Sequence, residues 1–460
     1  MLLEDLLIFL VFVLAWLAFL WILHRTGKVE KPAEGEAKPA EETFGLALMG
    51  PFLMWKTGKG RAFLDRLAQR RRFWRWFGDL SIVLVGIAMV AMTALLLWLA
   101  VLVVSIPPGR EPTPQMLLGI PGLNPLIPIW YGILALAVAI VVHEFCHGIL
   151  ARVSRIRLNS LGLLFFIVPV GAFVEPDEGE MKAMPRRERA RLFAAGPAVN
   201  LLFALAMAFV FSVVLMGSVS PVAQGVGISG VTANSPAEGV GIRPGMILLA
   251  VNNTPTPDVL AFVDAMSGTV AGQTVPVNYT AKGMAGNVSV SVVLGDAANF
   301  TGDESRRGKG FLGVTAFPAR LTTAYFHPIG GADEFGGLLQ STIAYISLPF
   351  TGLQPMQGLA TRFYEVHGPL AGLGDGFWIL ANITYWLFWL NLMLGMTNAL
   401  PAVPLDGGYI FRDGLHALIA KLKGGMEVDA RERVVKNVSY AFALMILSLI
   451  VWQFIGPRIF

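Results

Sequence analysis

His143-Glu144-Phe145-Cys146-His147 sets two imidazoles four residues apart, with a carboxylate beside the first. On a helix such residues share a face, so both rings can reach one metal ion. Glu144 can then act as base toward a water activated by that metal. Zinc suits nitrogen and oxygen ligands and brings the pKa of such a water to about 7. The competing reading is a pair of buried histidines hydrogen-bonded to neighbouring helices. Position argues against it. The motif lies in the last third of an apolar stretch, 126–150, where ionisable groups are costly and are kept for function.

A catalytic zinc keeps three protein ligands and one open position. The best third candidate is Asp406, in N-A-L-P-A-V-P-L-D-G-G at 398–408. Pro401 and Pro404 break the helix there, and Gly407 and Gly408 permit a tight turn. Position alone leaves a second role open, a cap for a helix over 408–420. Asp413 and His416 are weaker rivals, expected to be exposed on an amphipathic helix. Upstream, A-A-G-P-A-V-N at 194–200 puts Gly196 and Pro197 inside an apolar run, which marks a kink or a close approach of another helix. Asn200 and Asn398 are amides at membrane depth. They can hold a substrate backbone or an oxyanion, or bond helix to helix. Cys146, the single cysteine, reads as a spectator.

These groups must be carried by membrane-spanning elements. Of 460 residues, 55% are hydrophobic and only 14% charged, against roughly 25% charged in soluble domains. That excludes an ordinary cytosolic enzyme and a disordered regulator. The expected class is a polytopic α-helical membrane protein of about six spans: 6–23, 80–106, 126–150, 192–217, 377–400 and 438–455. Loops 25–79, 151–191 and 401–437 carry 26 of the 35 Lys and Arg. The positive-inside rule puts them in the cytoplasm and puts the N-terminus and 218–376 outside. Residues 30–42 read as a solvated linker. Residues 58–76, with Arg70, Arg71, Arg72 and Arg75 among aromatics, read as an interfacial helix on anionic lipid rather than a nucleic-acid site. Residues 158–175 are apolar, too short to span and broken by Gly162, Pro169 and Gly171. They read as a β-hairpin tucked into the inner face. Residues 336–350 read as a surface-lying helix.

H-E-F-C-H in one span, A-G-P-A-V-N in the next and P-L-D-G-G near the end of a later one resemble the site-2 protease family of intramembrane zinc metalloproteases. The resemblance covers 129–217 and 377–408. It implies zinc held by His143, His147 and Asp406, Glu144 as catalytic base, and a core of the third, fourth and fifth spans. It also implies that 158–175 is a re-entrant β-element able to add a strand to the substrate. The substrates it implies are single-span membrane proteins cut within the bilayer. The first two spans and the 25–79 loop lie outside it.

Residues 222–318 change character, with short β-branched runs such as V-P-V-N-Y-T at 275–280. The stretch from Gly225 to Asn252 resembles a PDZ domain through Ser235-Pro236-Ala237, Gly241-Ile242, Arg243-Pro244-Gly245 and Val251-Asn252, with Met246 where relatives carry Asp. The resemblance implies capture of a peptide C-terminus, with G-V-G-I at 225–228 as the carboxylate-binding loop. The other reading is a gate that limits access to the core. Asn252, Asn278, Asn287 and Asn299 each begin an N-x-S/T triplet in this domain. The domains expected are therefore a first helix at 1–24, the basic loop 25–79 and a membrane core over 80–217 and 377–408. A PDZ-like insert at 222–318 and an outer linker at 319–376 divide that core. A last helical part covers 409–460. A transporter would show paired repeats with broken helices in both halves. None is visible. A catalytically dead scaffold conflicts with the intact His143, Glu144, His147 and Asp406.

Overall fold

The computed structural model describes residues 2–26, 29–30, 45–49, 52–58, 60–106, 113–117, 119–166, 168–319, 326–327, 336–351, 357–423 and 425–459. Among them, five helices are long and apolar enough to cross a membrane: Arg71–Ser105, Ile129–Val153, Arg186–Ser218, Gly376–Asn398 and Val428–Ile459. The sixth expected span, 6–23, falls within the helix Leu2–Arg25. Side chains before Leu14 lie outside the described residues, and the remainder is a shorter apolar helix, Leu14–Arg25. The chain divides into two compact units, Met1–Ala206 with Trp386–Phe460, and Met207–Tyr385.

The first unit holds α1 (Leu2–Arg25), α2 (Arg61–Ala68), α3 (Arg71–Leu102), α4 (Ile129–Val153), α5 (Arg186–Phe209, as far as Ala206), α6 (Gly376–Asn398, from Trp386), α7 (Asp406–Leu422) and α8 (Val428–Ile459). An apolar helix closes its own backbone hydrogen bonds, which is what a bilayer demands. Burial in α4 is concentrated in its second half, from His143 through Val153, where it meets α2, α5 and a β-sheet. Small residues set how closely these elements approach. A Cβ on Gly395 would come within 3.0 Å of the Pro197 carbonyl oxygen, so α6 lies directly on α5.

That sheet has five strands in the order β1 (Val29–Glu30), β2 (Gly45–Met49), β3 (Phe52–Thr57), β4 (Leu158–Phe166) and β5 (Val168–Pro176). The 158–175 segment forms the hairpin β4–β5. Its partner departs from expectation. Of the predicted linker and loop, residues 31–44 lie outside the described residues, but 45–49 and 52–57 pair as antiparallel strands, and 53–57 pair antiparallel with β4. The runs G-L-A-L-M and F-L-M-W-K-T are too short to span, and their backbone groups need partners that the β4 edge supplies. The interfacial helix expected over 58–76 is also broken. α2 ends at Ala68, and the basic cluster opens the long α3. Beyond β5 no strand pairs among the described residues, so β5 is the edge.

An ion-pair cluster ties α3 to α5. Arg191, buried, donates to both Asp79 oxygens at 2.8 and 2.6 Å and to Glu188 at 2.7 Å. Arg187 reaches Asp79 at 3.1 Å from a side chain 72% exposed. Gly78 makes room, since a Cβ there would lie 2.9 Å from the Arg191 side chain.

The second unit is β-rich. Strands β6 (Val226–Val231), β7 (Met246–Val251), β8 (Thr274–Ala281), β9 (Val288–Val293) and β10 (Val314–Phe317) lie in the order β9-β8-β7-β6-β10. Val226, Ile228, Leu248, Val277 and Leu312 fill its core with Phe262 of the helix Val259–Ser267. This arrangement corrects the assignment of 225–228 as a carboxylate-binding loop. Val226 and Gly227 pair with β7, and Gly227 and Ile228 pair with β10. A peptide adds only to an unpaired edge, and among the described residues the free edges belong to β10 and β9. In 336–350 the structure has the ten-residue helix Leu338–Ser347.

Asp79→Ala should destabilise the protein by about 1–3 kcal/mol, because it strips a buried guanidinium of its main acceptor. Arg187→Ala should cost under about 1 kcal/mol, as an exposed pair. Thermal unfolding in detergent checks the difference. Equal losses would mean that Arg191 does not depend on Asp79.

Candidate metal centre

α4 carries His143 and His147 one turn apart, facing α5 and the start of α7. His143 Nε2 lies 3.1 Å from His147 Nε2 and 3.0 Å from Asp406 Oδ2, and the third side of the triangle, His147 Nε2 to Asp406 Oδ2, is 3.3 Å. Both histidines are buried and Asp406 is largely so. Donor atoms about 2 Å from a tetrahedral zinc are separated by about 3.3 Å, so the three atoms fit three corners of such a site. They are the only group of three or more His, Cys, Asp or Glu among the described residues close enough to hold a metal ion.

The loop before Asp406 explains how the carboxylate arrives. α7 starts at Asp406 itself, and the residue before it, Leu405, provides no side-chain cap. The capping role left open by sequence therefore does not apply, because the carboxylate turns to the imidazoles. Gly407 and Gly408 are helical rather than the turn expected. Cβ atoms on them would collide with the backbone of Ala399, Leu400, Ala402 and Val403. The two glycines let the 399–403 segment fold back against the first turn of α7.

α5 supplies the rest of the cradle. His147 Nδ1 is 2.8 Å from the Leu192 carbonyl oxygen, so Nδ1 carries the proton and Nε2 presents its lone pair to the centre. Gly196 faces the same point. A Cβ there would lie 2.6 Å from His143 Nε2 and closer still to His147 Nε2. Its missing side chain is the space in which a metal and a fourth ligand fit. Asn200, fully buried, sits with its amide nitrogen 3.2 Å from His143 Nδ1, and its Oδ1 has no protein partner. With a metal on Nε2, His143 Nδ1 must carry the ring proton. A half-turn of the amide then brings the orphan oxygen to accept it.

Other sequence candidates fall elsewhere. Asn398 donates to Leu394 O at 3.1 Å within its own helix. Pro197 is inside α5 and offers its carbonyl region to Gly395. Cys146 is buried among apolar side chains. Asp413 and His416 are not exposed as expected. Asp413 accepts from Nε and Nη2 of Arg189, and His416 Nε2 lies 3.0 Å from Arg186, because α7 packs this face against the start of α5. Glu144, beside the ligands, accepts from the backbone N–H of Val174 in β5 at 3.2 Å. Sequence reasoning missed the Leu192 carbonyl and the Val174 amide. Neither side chain signals its backbone's role.

Comparison with known proteins covers most of the chain. Residues 131–446 match peptidase family M50. A protein from Rhizobium meliloti, provisionally named a zinc metalloprotease, is 24% identical over 368 residues, 69% of this chain and 93% of its own. An uncharacterized protein from Methanocaldococcus jannaschii is 22% identical over 412 residues, 88% of this chain and 90% of its own. Zinc metalloprotease RasP from Shouchella clausii is 22% identical over 290 residues, 62% of this chain and 63% of its own. A solved PDZ domain of an SdrC-like protein from Listeria monocytogenes aligns over 21% of this chain and 92% of its own, at 21% identity and a TM-score of 0.18.

Metal content of purified variants checks the cradle. His147→Ala and Asp406→Ala should each lose most bound metal. Asn200→Ala should weaken affinity by about 10–100-fold, as for loss of a partner that orients a ligand, and Gly196→Ala should lower it by filling the site. Full metal retention in Asp406→Ala would remove the third ligand from the assignment.

Proposed function

The chain belongs to peptidase family M50, and on that membership we propose a zinc metalloprotease that cuts single-span membrane proteins within the bilayer. The observation that carries the proposal is the convergence of His143 Nε2, His147 Nε2 and Asp406 Oδ2, with Glu144 one residue from the first ligand. His143, His147 and Asp406 hold the zinc. What zinc supplies there is a Lewis acid that polarises the scissile carbonyl and makes water nucleophilic near neutral pH.

The rest falls to the chain's own groups. A substrate helix must unwind first, since its carbonyls are tied up in i to i−4 hydrogen bonds. Strand β5 offers the unwound segment a free edge, and backbone pairing there holds it extended beside α4. Glu144 takes a proton from the attacking water and passes it to the leaving amine. The Leu192 carbonyl and Asn200 hold the two imidazoles in the tautomers that leave Nε2 free. Gly196 keeps the reacting side of the centre open.

The protein is a multi-pass membrane protein. We orient it with the metal centre toward the cytoplasm and the β-rich second unit outside, from the basic loops. That unit filters substrates or recruits them through an extended peptide, and the edge of β10 is its docking strand.

Glu144→Gln should retain metal near stoichiometry while proteolysis of a reconstituted single-span substrate falls by about 10²–10⁴-fold. Normal cleavage by this variant would remove Glu144 from the mechanism. For the orientation, Ser289→Cys and Gly58→Cys are made separately in a Cys146→Ala background. An impermeant thiol reagent on intact cells should label the first and spare the second. Labelling of Gly58→Cys alone would invert the topology.

A further inference from the structure

The Glu144–Val174 contact has a consequence for how the site opens. In an antiparallel edge strand, backbone N–H groups alternate between the paired side and the free side. Val174 is opposite Leu161 of β4, yet its N–H donates to Glu144 Oε2 at 3.2 Å, so it belongs to the free side. The groups that can receive an added strand near the metal are therefore those of Ala172 and Val174. Of these, the Val174 N–H is already taken, and it is taken by the carboxylate that the chemistry needs. The surroundings hold the strand in this position. Glu175, the next residue, is fixed by Lys56 Nζ at 3.2 Å and by Ser160 Oγ. Gly148, one turn beyond Glu144, lets β5 run close to α4, since a Cβ there would meet Val174 Cγ1 at 3.3 Å.

We propose that Glu144 is a latch on strand β5. In the substrate-free protein its carboxylate caps the Val174 N–H and keeps the edge closed. An incoming extended segment replaces it at that N–H with a substrate carbonyl and frees the carboxylate for the substrate's own reaction. The inference rests on strand addition at β5 as proposed above. It makes the base available only when a strand is in register, so an empty site does not hold an unoccupied base beside water. The occupant recognised is an extended peptide backbone offering a carbonyl, whatever its side chains. The strand pair β2–β3 strengthens the device. It occupies the other edge of β4, so among the described strands of that sheet only β5 can accept an addition beside Glu144.

The test compares Glu144→Gln, which keeps a neutral acceptor, with Glu144→Ala, which removes it, and Glu144→Asp, which keeps the charge but shortens the reach. Hydrogen exchange is read on peptides spanning 168–176, in which Pro169 and Pro176 contribute no amide. Binding is read with a labelled single-span leucine peptide carrying a central Asn-Gly pair. Exchange of the 168–176 amides should be slow in the wild type and in Glu144→Gln, and about tenfold or more faster in Glu144→Ala and Glu144→Asp, as for loss of a charge-assisted hydrogen bond. The peptide should bind Glu144→Ala several-fold tighter than Glu144→Gln and restore slow exchange. Equal exchange in the wild type and Glu144→Ala would overturn the latch. So would equal peptide affinity in Glu144→Ala and Glu144→Gln, because the contact would then not compete with strand addition. Neither readout needs turnover or zinc. A wild type that binds the peptide with this pattern but never cleaves it would sink the protease reading and leave the latch standing.

Discussion

Two imidazole nitrogens and a carboxylate oxygen lie within 3.3 Å of one another where α4, α5 and the start of α7 meet, with both histidines buried and the aspartate largely so. With both Nε2 lone pairs turned inward, as the Leu192 carbonyl sets for His147, these atoms repel unless a cation lies between them. Most of the first unit answers this single constraint. α4 presents two imidazoles from one face. α5 comes near enough to orient both, which requires glycine at 196, where any side chain would enter the centre. α6 closes on α5 over Gly395, and the loop that follows it delivers Asp406 only because Gly407 and Gly408 admit the backbone of 399–403.

The same logic extends outward. Buried ligands need partners that fix their tautomers, and those partners need anchors. His147 depends on the Leu192 carbonyl. The neighbouring Arg191 is clamped by Asp79 of α3 and by Glu188. α3 lies outside the stretches that resembled a protease core, yet it braces the turn of α5 whose Leu192 carbonyl pairs with His147. Its role is positional, through an ion pair rather than through chemistry.

The β-sheet solves a different problem. Backbone at membrane depth that is neither helix nor closed barrel must be paired within the protein. The chain pairs β4 with its own N-terminal strand β3 and leaves β5 open next to Glu144. An open edge is elsewhere a liability. Among the described strands β1 and β5 are the two edges, and of these β5 is the one that lies beside Glu144.

By itself, the sequence determined the class and the chemistry. Apolar run lengths gave five of the six expected spans as helices long enough to cross. The H-E-x-x-H spacing put both histidines on one face, because helix periodicity is local and needs no tertiary information. Asp406 was legible as a candidate ligand but not as the choice over a cap. Which way a carboxylate turns depends on what packs opposite, here the His143 imidazole 263 residues away in sequence and its neighbour His147. The pairing of 45–49 with 52–57 was illegible because both strands are apolar on both faces and show no alternation. The burial of Asp413 and His416 was illegible because an amphipathic pattern does not say what covers the polar face. The carboxylate-binding loop assigned to 225–228 failed because strand order, and so which edge is free, is a property of long-range pairing that no local motif carries.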